Sequence, residues 1–520
     1  MGFTARKPWH VAQIDANYFK SAMGGNHEFK FGFGYRRNPN KTTTTWSGSQ
    51  VVGFRQSETD YFAWVTRQRS VAFKGQYWNA YVGDTFTKGR FTLSAGVRWD
   101  RQTSKNSPST ATANPAFPEV LPALSFDGNS QDIAWNDVSP RVSATYALDE
   151  SRKTVARASY SRYAGQLNPF EVTYASPVGG YYTFVAFRWV DANGDRLAQK
   201  GELLTGEGVQ YANNVDPDNP TSATAINRVD PNYKANHDQE FIIGIDRELA
   251  PNFALSAAYT WRKATDLQGW SPRVGLTRGD YTQNDSASQN GFSAVSFAAN
   301  PEKVGNGARQ LSNRTDFFTR YNGFEVSAVK RLSNKWFARA AFAFMDWTEH
   351  FDGTAGIQNP TRSDTSGGDF SGPGDEGGQV APRSYGAKAN TFFNSKWQFS
   401  ANGLYQLPAG FEIAASLFGR QGYPLNVILN LDAGDDGTIR TLGEKIGDSR
   451  YDNLWNLDFR LAKTQKIAGN VNLNITLDLF NAFNNNVVLV TSRVANSDAF
   501  GRTNEVISPR ILRIGVRLQF

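Results

Sequence analysis

A strict alternation of apolar and polar residues is the feature that most constrains how this chain can fold. In residues 471–479 every second position is Val, Leu or Ile, and every intervening one is Asn, Thr or Asp. Residues 455–461, 91–100 and 29–35 repeat this pattern with aromatic and aliphatic residues on one face. Period-two alternation predicts β-strands with one apolar and one wet face. At about 9 to 13 residues, these strands exceed the usual globular length and match tilted strands that cross a bilayer.

Short turns alternate along the chain with long polar segments. The short turns carry Gly, Pro, Asn or Asp and lie at residues 23–26, 87–90, 148–153, 249–252, 332–335, 407–410 and 466–470. The long segments, which we predict to be external loops, lie near residues 38–66, 104–135, 164–236, 264–319, 348–393, 421–452 and 483–508. Tight turns on one side and long loops on the other are typical of bacterial outer-membrane barrels. The fold class predicted is therefore all-β, an antiparallel transmembrane β-barrel.

The strand count indicates an incomplete barrel. About 15 strands are predicted, near residues 9–21, 27–37, 71–87, 90–102, 137–147, 153–163, 238–249, 252–263, 320–331, 335–347, 395–406, 411–420, 453–464, 471–482 and 510–520. Single-chain bacterial barrels have even strand numbers, because the first and last strands must pair antiparallel. The first residues also lack the apolar stretch of a signal peptide. We therefore expect residues 1–520 to form one partial barrel domain of about 15 to 16 strands, in a fragment of a longer protein.

Composition excludes several classes of protein. The mean hydropathy is −0.50 and no apolar run approaches the roughly 18 residues of a transmembrane helix. The chain has no Cys and only four His, so thiolate chemistry is excluded and imidazole chemistry is scarce. Its 55 basic residues are scattered among 48 acidic ones, so the net charge of +7 predicts no nucleic-acid partner. The 13% of aromatic residues suits the interfacial girdles of a membrane barrel.

Several segments, in their order and spacing, resemble the Oar-like branch of the TonB-dependent outer-membrane receptors. They are GGNHEFKFGF at 24–33, RFTLSAGVRWD at 90–100, VSPRV at 138–142, TVARASY at 154–160, RVDPN at 228–232, YNGFE at 321–325, KRLSNKW at 330–336, LYQLP at 404–408, LFNAFN at 479–484 and SPR at 508–510. The resemblance implies a 22-stranded barrel around an amino-terminal plug, an outer-membrane location and uptake of an extracellular ligand.

The chain departs from that family pattern at its amino-terminal end. No plug, regulatory-like domain or TonB box precedes Trp9. The resemblance therefore places this chain at about strands 8 to 22, and implies contact with TonB only through a plug that is missing here. Outer-membrane lipid remains a predicted partner, and the ligand cannot be identified from the sequence.

One external segment resembles a calcium-binding loop. Asp191, Asn193, Asp195 and Glu202 occupy positions 1, 3, 5 and 12 of an EF-hand-like loop and could supply oxygen ligands to Ca²⁺. The Gly expected at position 6 is replaced by Arg196, although Gly194 is close. The alternative is a polar turn in a long loop. Calcium is the only cofactor that the sequence suggests.

The carboxy-terminal residues form a second motif. Arg513, Gly515, Leu518 and the terminal Phe520 resemble the signal by which the barrel-assembly machinery recognises a last strand. That resemblance adds the assembly machinery to the predicted partners. The alternative is an ordinary amphipathic strand that ends in Phe.

The sequence contains no P-loop, nucleophile elbow or dinucleotide fingerprint, so we expect no catalytic residues and no enzyme. The function predicted is the barrel of a TonB-dependent transporter or receptor, which captures a ligand for uptake by the intact protein. Two alternatives remain. One is a plug-free passive pore or structural surface barrel, and the other is a secreted carbohydrate-binding β protein or glycoside hydrolase.

Overall fold

A computed structural model describes residues 1–55, 61–128, 131–179, 183–305, 307–351, 358–362, 375–382, 392–434, 437–469 and 471–520. Most of these residues lie in antiparallel strands. Within those ranges, no helix has the length and apolar character needed to cross a membrane.

One large sheet contains fifteen long strands in chain order, and each strand pairs antiparallel with the next. They are β1 (His10–Ala22), β2 (Gly25–Thr45), β3 (Arg69–Lys88), β4 (Phe91–Ala111), β5 (Ile133–Ala147), β6 (Thr154–Ala164), β7 (His237–Ala250), β8 (Phe253–Thr265), β9 (Phe317–Ser333), β10 (Trp336–Phe351), β11 (Trp397–Gln406), β12 (Phe411–Arg420), β13 (Leu454–Ala468), β14 (Val471–Phe480) and β15 (Ile511–Gln519). Two short strands extend this sheet. Gly2–Arg6 pairs with the part of β2 that continues past the end of β1, and Leu124–Phe126 pairs with the part of β4 that continues past the end of β5. The predicted all-β antiparallel architecture is confirmed.

The seven predicted short turns join neighbouring strands of this sheet at one rim. Each contains at least one residue with positive φ, for example Asn334 (51°) with Lys335 (69°), and Met23 (55°) with Gly24 (72°). Two successive residues of positive φ give the type I′ geometry that matches the twist of an antiparallel pair. The turns therefore fix the register of the strands that they join.

The outward face of the sheet is a continuous apolar surface. Phe324 of β9 lies directly opposite Tyr259 of β8 and Phe344 of β10, and all three side chains are exposed. The same row continues through Trp397 of β11, which is opposite Phe344. A row of exposed aromatic and aliphatic side chains suits contact with lipid and not with water. The opposite, inner face carries the polar residues of the alternation.

The sheet has two edges. Among the described residues no hydrogen-bonded ladder joins β1 to β15. Because fifteen strands alternate in direction, β1 and β15 run the same way. Both edge strands are exposed over most of their length.

The external segments fold into small sheets of their own. Strands Val51–Arg55 and Tyr61–Thr66 from one segment pair with Phe184–Arg188 and Tyr211–Asn213 from another. A hydrophobic core lies beneath this sheet, with Val65 and Val185 fully buried. The predicted polar loops thus form buried hydrophobic cores, one of which includes residues of β3 to β5.

The remaining external segments contribute further short elements. They are a sheet of Arg228–Val229, Leu267–Trp270 and Gln310–Arg314, and the hairpins Tyr281–Gln289 with Phe292–Ala299, Ile428–Asp432 with Thr438–Leu442, and Val488–Thr491 with Thr503–Val506. The helical elements are short: Pro169–Ala175, Lys200–Glu202, Thr205–Glu207, Arg278–Asp280, Pro301–Val304 and Pro408–Gly410. Most of the loop predicted near 348–393 lies outside the described residues.

Several strands are longer than predicted. β2 continues to Thr45 and β4 to Ala111, so both extend into segments that the sequence indicated as loops. Alternation fades there because the strands have left the lipid and both faces contact protein. Ser104, Thr103 and Asn106 are all buried, although they lie on both faces of β4.

We expect Phe342→Arg, on the outward face of β10, to destabilise the barrel by about 2 to 4 kcal/mol, because it places a charge near the middle of the lipid-facing surface. Ala341→Arg is the matched control, since Ala341 belongs to the inner face beside Glu325. Unfolding by denaturant in lipid vesicles measures both variants. Equal destabilisation by the two substitutions would contradict the assignment of the faces.

Candidate functional site: the inner cleft

The inner faces of β1 to β6 enclose two adjoining cavities, which we call the inner cleft. The first has a volume of about 650 Å³ and lies beside Trp9, Arg69 and Phe170. The second, of about 470 Å³, lies beside Arg36, Arg98 and Arg141. Tyr77 and Gln166 line both cavities. These volumes are in the range of small-molecule binding sites.

A segment from the external layer, residues 165–179, closes one side of the cleft. Side chains at alternate positions of β4 hold it. Gln102 donates to the carbonyl of Gly165 (2.8 Å) and accepts from the backbone N–H of Leu167 (2.8 Å). Ser104 donates to the carbonyl of Pro169 (2.6 Å) and Asn106 to that of Val172 (2.8 Å). Because these residues share one face of β4, they form a ladder that fixes the segment along the strand.

Two further contacts hold the same segment. The hydroxyl of Tyr77 donates to the carbonyl of Leu167 (2.9 Å), and the buried guanidinium of Arg69 donates to the carbonyls of Val178 (3.0 Å) and Gly179 (2.7 Å). Leu167, Val172 and Val178 of the segment pack in one hydrophobic cluster with residues of β3 to β5. The segment therefore forms a fixed wall of the cleft, and we call residues 165–179 the wall segment.

Glu171 lies on this wall, in the short helix Pro169–Ala175. Burial raises the pKa of its carboxyl to about 7, and the hydroxyl of Tyr233, which donates to it at 2.9 Å, limits this rise. Above pH 7 the structure holds a buried charge here, and below it a neutral acid.

Stacked guanidinium groups characterise the cleft. The guanidinium carbon of Arg36 lies 4.2 Å from the ring centre of Tyr77 and 4.9 Å from that of Trp9. That of Arg141 lies 4.9 Å from the ring centre of Tyr163. Such cation–π contacts hold a guanidinium by its face.

Other inner-face arginines pair with carboxylates. Arg98 binds Asp100 with two nitrogens (2.8 Å), and Arg157 and Arg262 pair with Asp246 and Glu240 on the neighbouring strand β7. These pairs neutralise the inner surface locally.

A further cavity of about 440 Å³ lies between external hairpins and is lined mainly by Ser and Ala side chains. Its one charged lining residue, Arg362, is paired with Asp375. It offers less chemistry for recognition than the inner cleft does.

The predicted calcium loop forms a turn in which the acidic groups bind backbone N–H groups of the same loop. Asp191 accepts from Arg196 (3.1 Å), Asp195 from Leu197 (2.8 Å), and Glu202 from Ala192 (3.1 Å). Asn193 accepts from the N–H of Asp195 (2.9 Å). Within the described parts of the chain, no group of three or more His, Cys, Asp or Glu side chains is arranged to hold a metal ion. Calcium binding here stays a prediction.

The predicted assembly residues all belong to the last strand or follow it. Arg513 binds Asp478 of β14 (2.7 Å), which also pairs with Arg460 of β13 (2.5 Å). Asp478 is almost fully buried between these two cations, so it joins three strands. Gly515 faces Thr476, and a Cβ there would lie 2.6 Å from the Thr hydroxyl. Leu518 and Phe520 are exposed. Their recognition by the assembly machinery stays a prediction.

Sequence reasoning identified none of the residues of the inner cleft. The available signal was a charged residue in phase with the polar face of a strand, as Arg36 is with Gly32 and Gly34 of β2. The partners of Arg36 come from β3 and from the residue before β1, so only the strand pairing brings them together.

A family model described as "Outer membrane beta barrel domain" matches residues 3–444. The chain belongs to this family. Its outward apolar face is accordingly embedded in the outer membrane. No curated protein matches the sequence.

Solved structures show the same fold for this outer-membrane barrel. The outer membrane transporter YddB from Escherichia coli has 12% identity and a TM-score of 0.52, covering 99% of this chain and 54% of its own. The ferric-catecholate import receptor Fiu from E. coli K12 has 12% identity and a TM-score of 0.48, and the match covers 98% of this chain and 54% of Fiu. The siderophore receptor PiuA from Acinetobacter baumannii has 10% identity and a TM-score of 0.46, and the match covers 99% of this chain and 56% of PiuA. The chain spans about half the length of these structures. The likeness to YddB confirms the predicted barrel fold.

We expect the wall segment 165–179 to loosen as the pH rises from 5.5 to 8.5. The raised pKa of Glu171 means that the folded state holds this proton up to about pH 7, whereas the unfolded chain releases it near the ordinary carboxyl pKa of 4.5. Stability from this group is therefore present at low pH and lost as the pH rises through 7. Hydrogen exchange of residues 165–175, corrected for intrinsic rates, measures it. Glu171→Gln should remove the dependence; if the variant keeps it, another group is responsible.

We expect Asp478→Asn to destabilise the barrel by about 1.5 to 3 kcal/mol, because it removes the charge that both arginines bind. Asp458→Asn is the control, since Asp458 lies on the same face and, among the described residues, accepts hydrogen bonds from the Asn456 side chain and the N–H of Asn481 but pairs with no arginine. Thermal unfolding in detergent, followed by gel migration of heated and unheated samples, compares the two. A larger loss of thermal stability in Asp458→Asn than in Asp478→Asn would contradict the role given to Asp478.

Proposed function

We propose that this chain is the barrel of a TonB-dependent transporter, which captures an extracellular ligand between its folded external layer and the inner cleft. The intact protein then takes the ligand up. Membership of the outer-membrane barrel family and the transporter fold support a role in transport.

The observation that carries the proposal is the wall segment 165–179, folded inward from the external layer onto the inner face of β4. The Gln102 contacts and the buried Leu167 show that this segment is fixed there by specific bonds and packing. A receptor needs a preformed concave surface that faces the outside, since ordering a loose loop on binding would cost affinity.

The proposal assigns no catalytic step to the chain. Two of its inner acidic groups, Asp246 and Glu240, are paired with arginines of neighbouring strands. Paired carboxylates suit a polar passage more than proton transfer to a substrate.

Uptake by cells with and without TonB tests the proposal. The complete gene is expressed in the outer membrane, and small molecules that stabilise the purified protein against heat are selected from spent culture medium. A selected compound, radiolabelled, should accumulate in cells that have TonB and only bind to the surface of cells that lack it.

The same cells distinguish a passive pore. Vancomycin is too large for ordinary porins, so an open barrel of this size would sensitise the cells to it. We expect unchanged susceptibility from the complete protein. Sensitised cells together with TonB-independent uptake would overturn the transporter proposal in favour of a passive pore.

A further inference from the structure

We propose that the inner cleft binds a small organic molecule with two anionic groups, one held by Arg36 and the other by Arg141. This inference rests on the proposed function, because it names the class of ligand that the same cleft takes. Both arginines differ from the inner-face arginines that pair with carboxylates, such as Arg98, Arg157 and Arg262.

Arg36 has no carboxylate partner among the described residues. Its Nε is buried and has no hydrogen-bond partner among the described residues, and no carboxylate of those residues lies within ion-pair distance of the guanidinium. Arg98, Arg157 and Arg262, by contrast, each pair with an Asp or Glu. A buried donor without an acceptor costs free energy that an anionic ligand would recover.

The stacking of Arg36 determines which of its groups stay available. Tyr77 and Trp9 contact the guanidinium at 4.2 and 4.9 Å from their ring centres. Cation–π contact occupies the face of the group, while its N–H donors point outward in the plane. A carboxylate or phosphate approaching in that plane can accept two parallel hydrogen bonds.

Arg141 supplies a second cation to the same cavity. It stacks on Tyr163 at 4.9 Å, its side chain is exposed to the cleft, and the described residues place no carboxylate at ion-pair distance from it. Among the described residues, the charged lining of this cavity is Arg36, Arg98, Arg141 and Asp100. Three positive charges less one negative charge leave a net charge of +2, and Arg98 with Asp100 contributes nothing to it.

The rest of the lining is neutral and polar. Gln13, Asn79 and Ser139 line the cavity beside the two cations and can hydrogen bond to hydroxyl or amide groups of a ligand. A volume of about 470 Å³ admits a small molecule but not a folded partner. Charge and size together favour a small dianion with a polar body.

Isothermal titration calorimetry of the full chain in detergent micelles tests the inference. The probes are succinate and inorganic phosphate, with succinamide as the uncharged analogue of succinate. We expect heat from succinate and none from succinamide. Heat from phosphate alone would indicate a site for one inorganic anion and would overturn the inference of two anionic groups.

Variants assign the heat to the two arginines. Arg36→Gln and Arg141→Gln should each weaken binding about tenfold or more, since each removes a charge-assisted contact. Arg37→Gln is the matched control, because Arg37 is the next residue of β2, is exposed on the opposite face and changes the net charge equally. Circular dichroism and heat-dependent gel migration establish that each variant is folded.

The inference would be overturned if succinate gave no heat or if succinamide bound as tightly as succinate. Equal losses of binding in Arg36→Gln and Arg37→Gln would also overturn it. The result is separable from that of the uptake experiment. TonB-dependent uptake of a neutral compound would leave the transporter proposal standing and remove this one. Anion binding without TonB-dependent uptake would do the reverse.

Discussion

The hydrogen-bonded ladder between antiparallel strands is the interaction on which the rest of this structure depends. In lipid a backbone N–H or C=O without a partner costs several kcal/mol, and the sheet satisfies these groups between neighbouring strands everywhere except along its two edges, β1 and β15. The ladder also sets the faces. A slip of one residue would turn Phe324 and Phe344 inward and Glu325 into the lipid. The register of the strands is therefore stabilised by contact of the apolar face with lipid.

On the inner face, the ladder brings opposite charges together from neighbouring strands. Asp478 lies between Arg460 and Arg513 because the pairing of β13, β14 and β15 places these three residues side by side. Arg157 and Arg262 are neutralised in the same way. Arg36 and Arg141 stack on aromatic rings instead, which keeps their charge available within an otherwise balanced surface.

The sequence predicted the part of the fold that local patterns determine. All fifteen strands and all seven short turns follow from alternation and from turn residues such as Asn334, because both signals act over a few neighbouring positions. The external layer could not be predicted in this way. Val65 and Val185 share one core although 119 other residues separate them in the chain.

The candidate site shares this limitation. In the sequence, nothing distinguishes Gln102 from other polar residues of a strand. Its role is seen only in the structure, where residues 165–167 hydrogen bond to it. The calcium-like spacing from Asp191 to Glu202 shows the opposite case. A motif that the sequence made conspicuous forms, in the structure, a turn whose acidic groups bind its own backbone.

The unequal lengths of the strands give the barrel wall a slanted outer edge. β2 and β4 each contain 21 residues, whereas β11 and β12 contain 10. At about 3.3 Å per residue, the longer pair extends roughly 35 Å further along the strand direction. The wall around β2 to β4 therefore extends further from the rim of tight turns than the wall at β11 and β12 does. Nine residues of β2 follow Arg36, so this taller wall continues about 30 Å beyond that arginine, and a ligand bound by Arg36 would lie well below the outer edge.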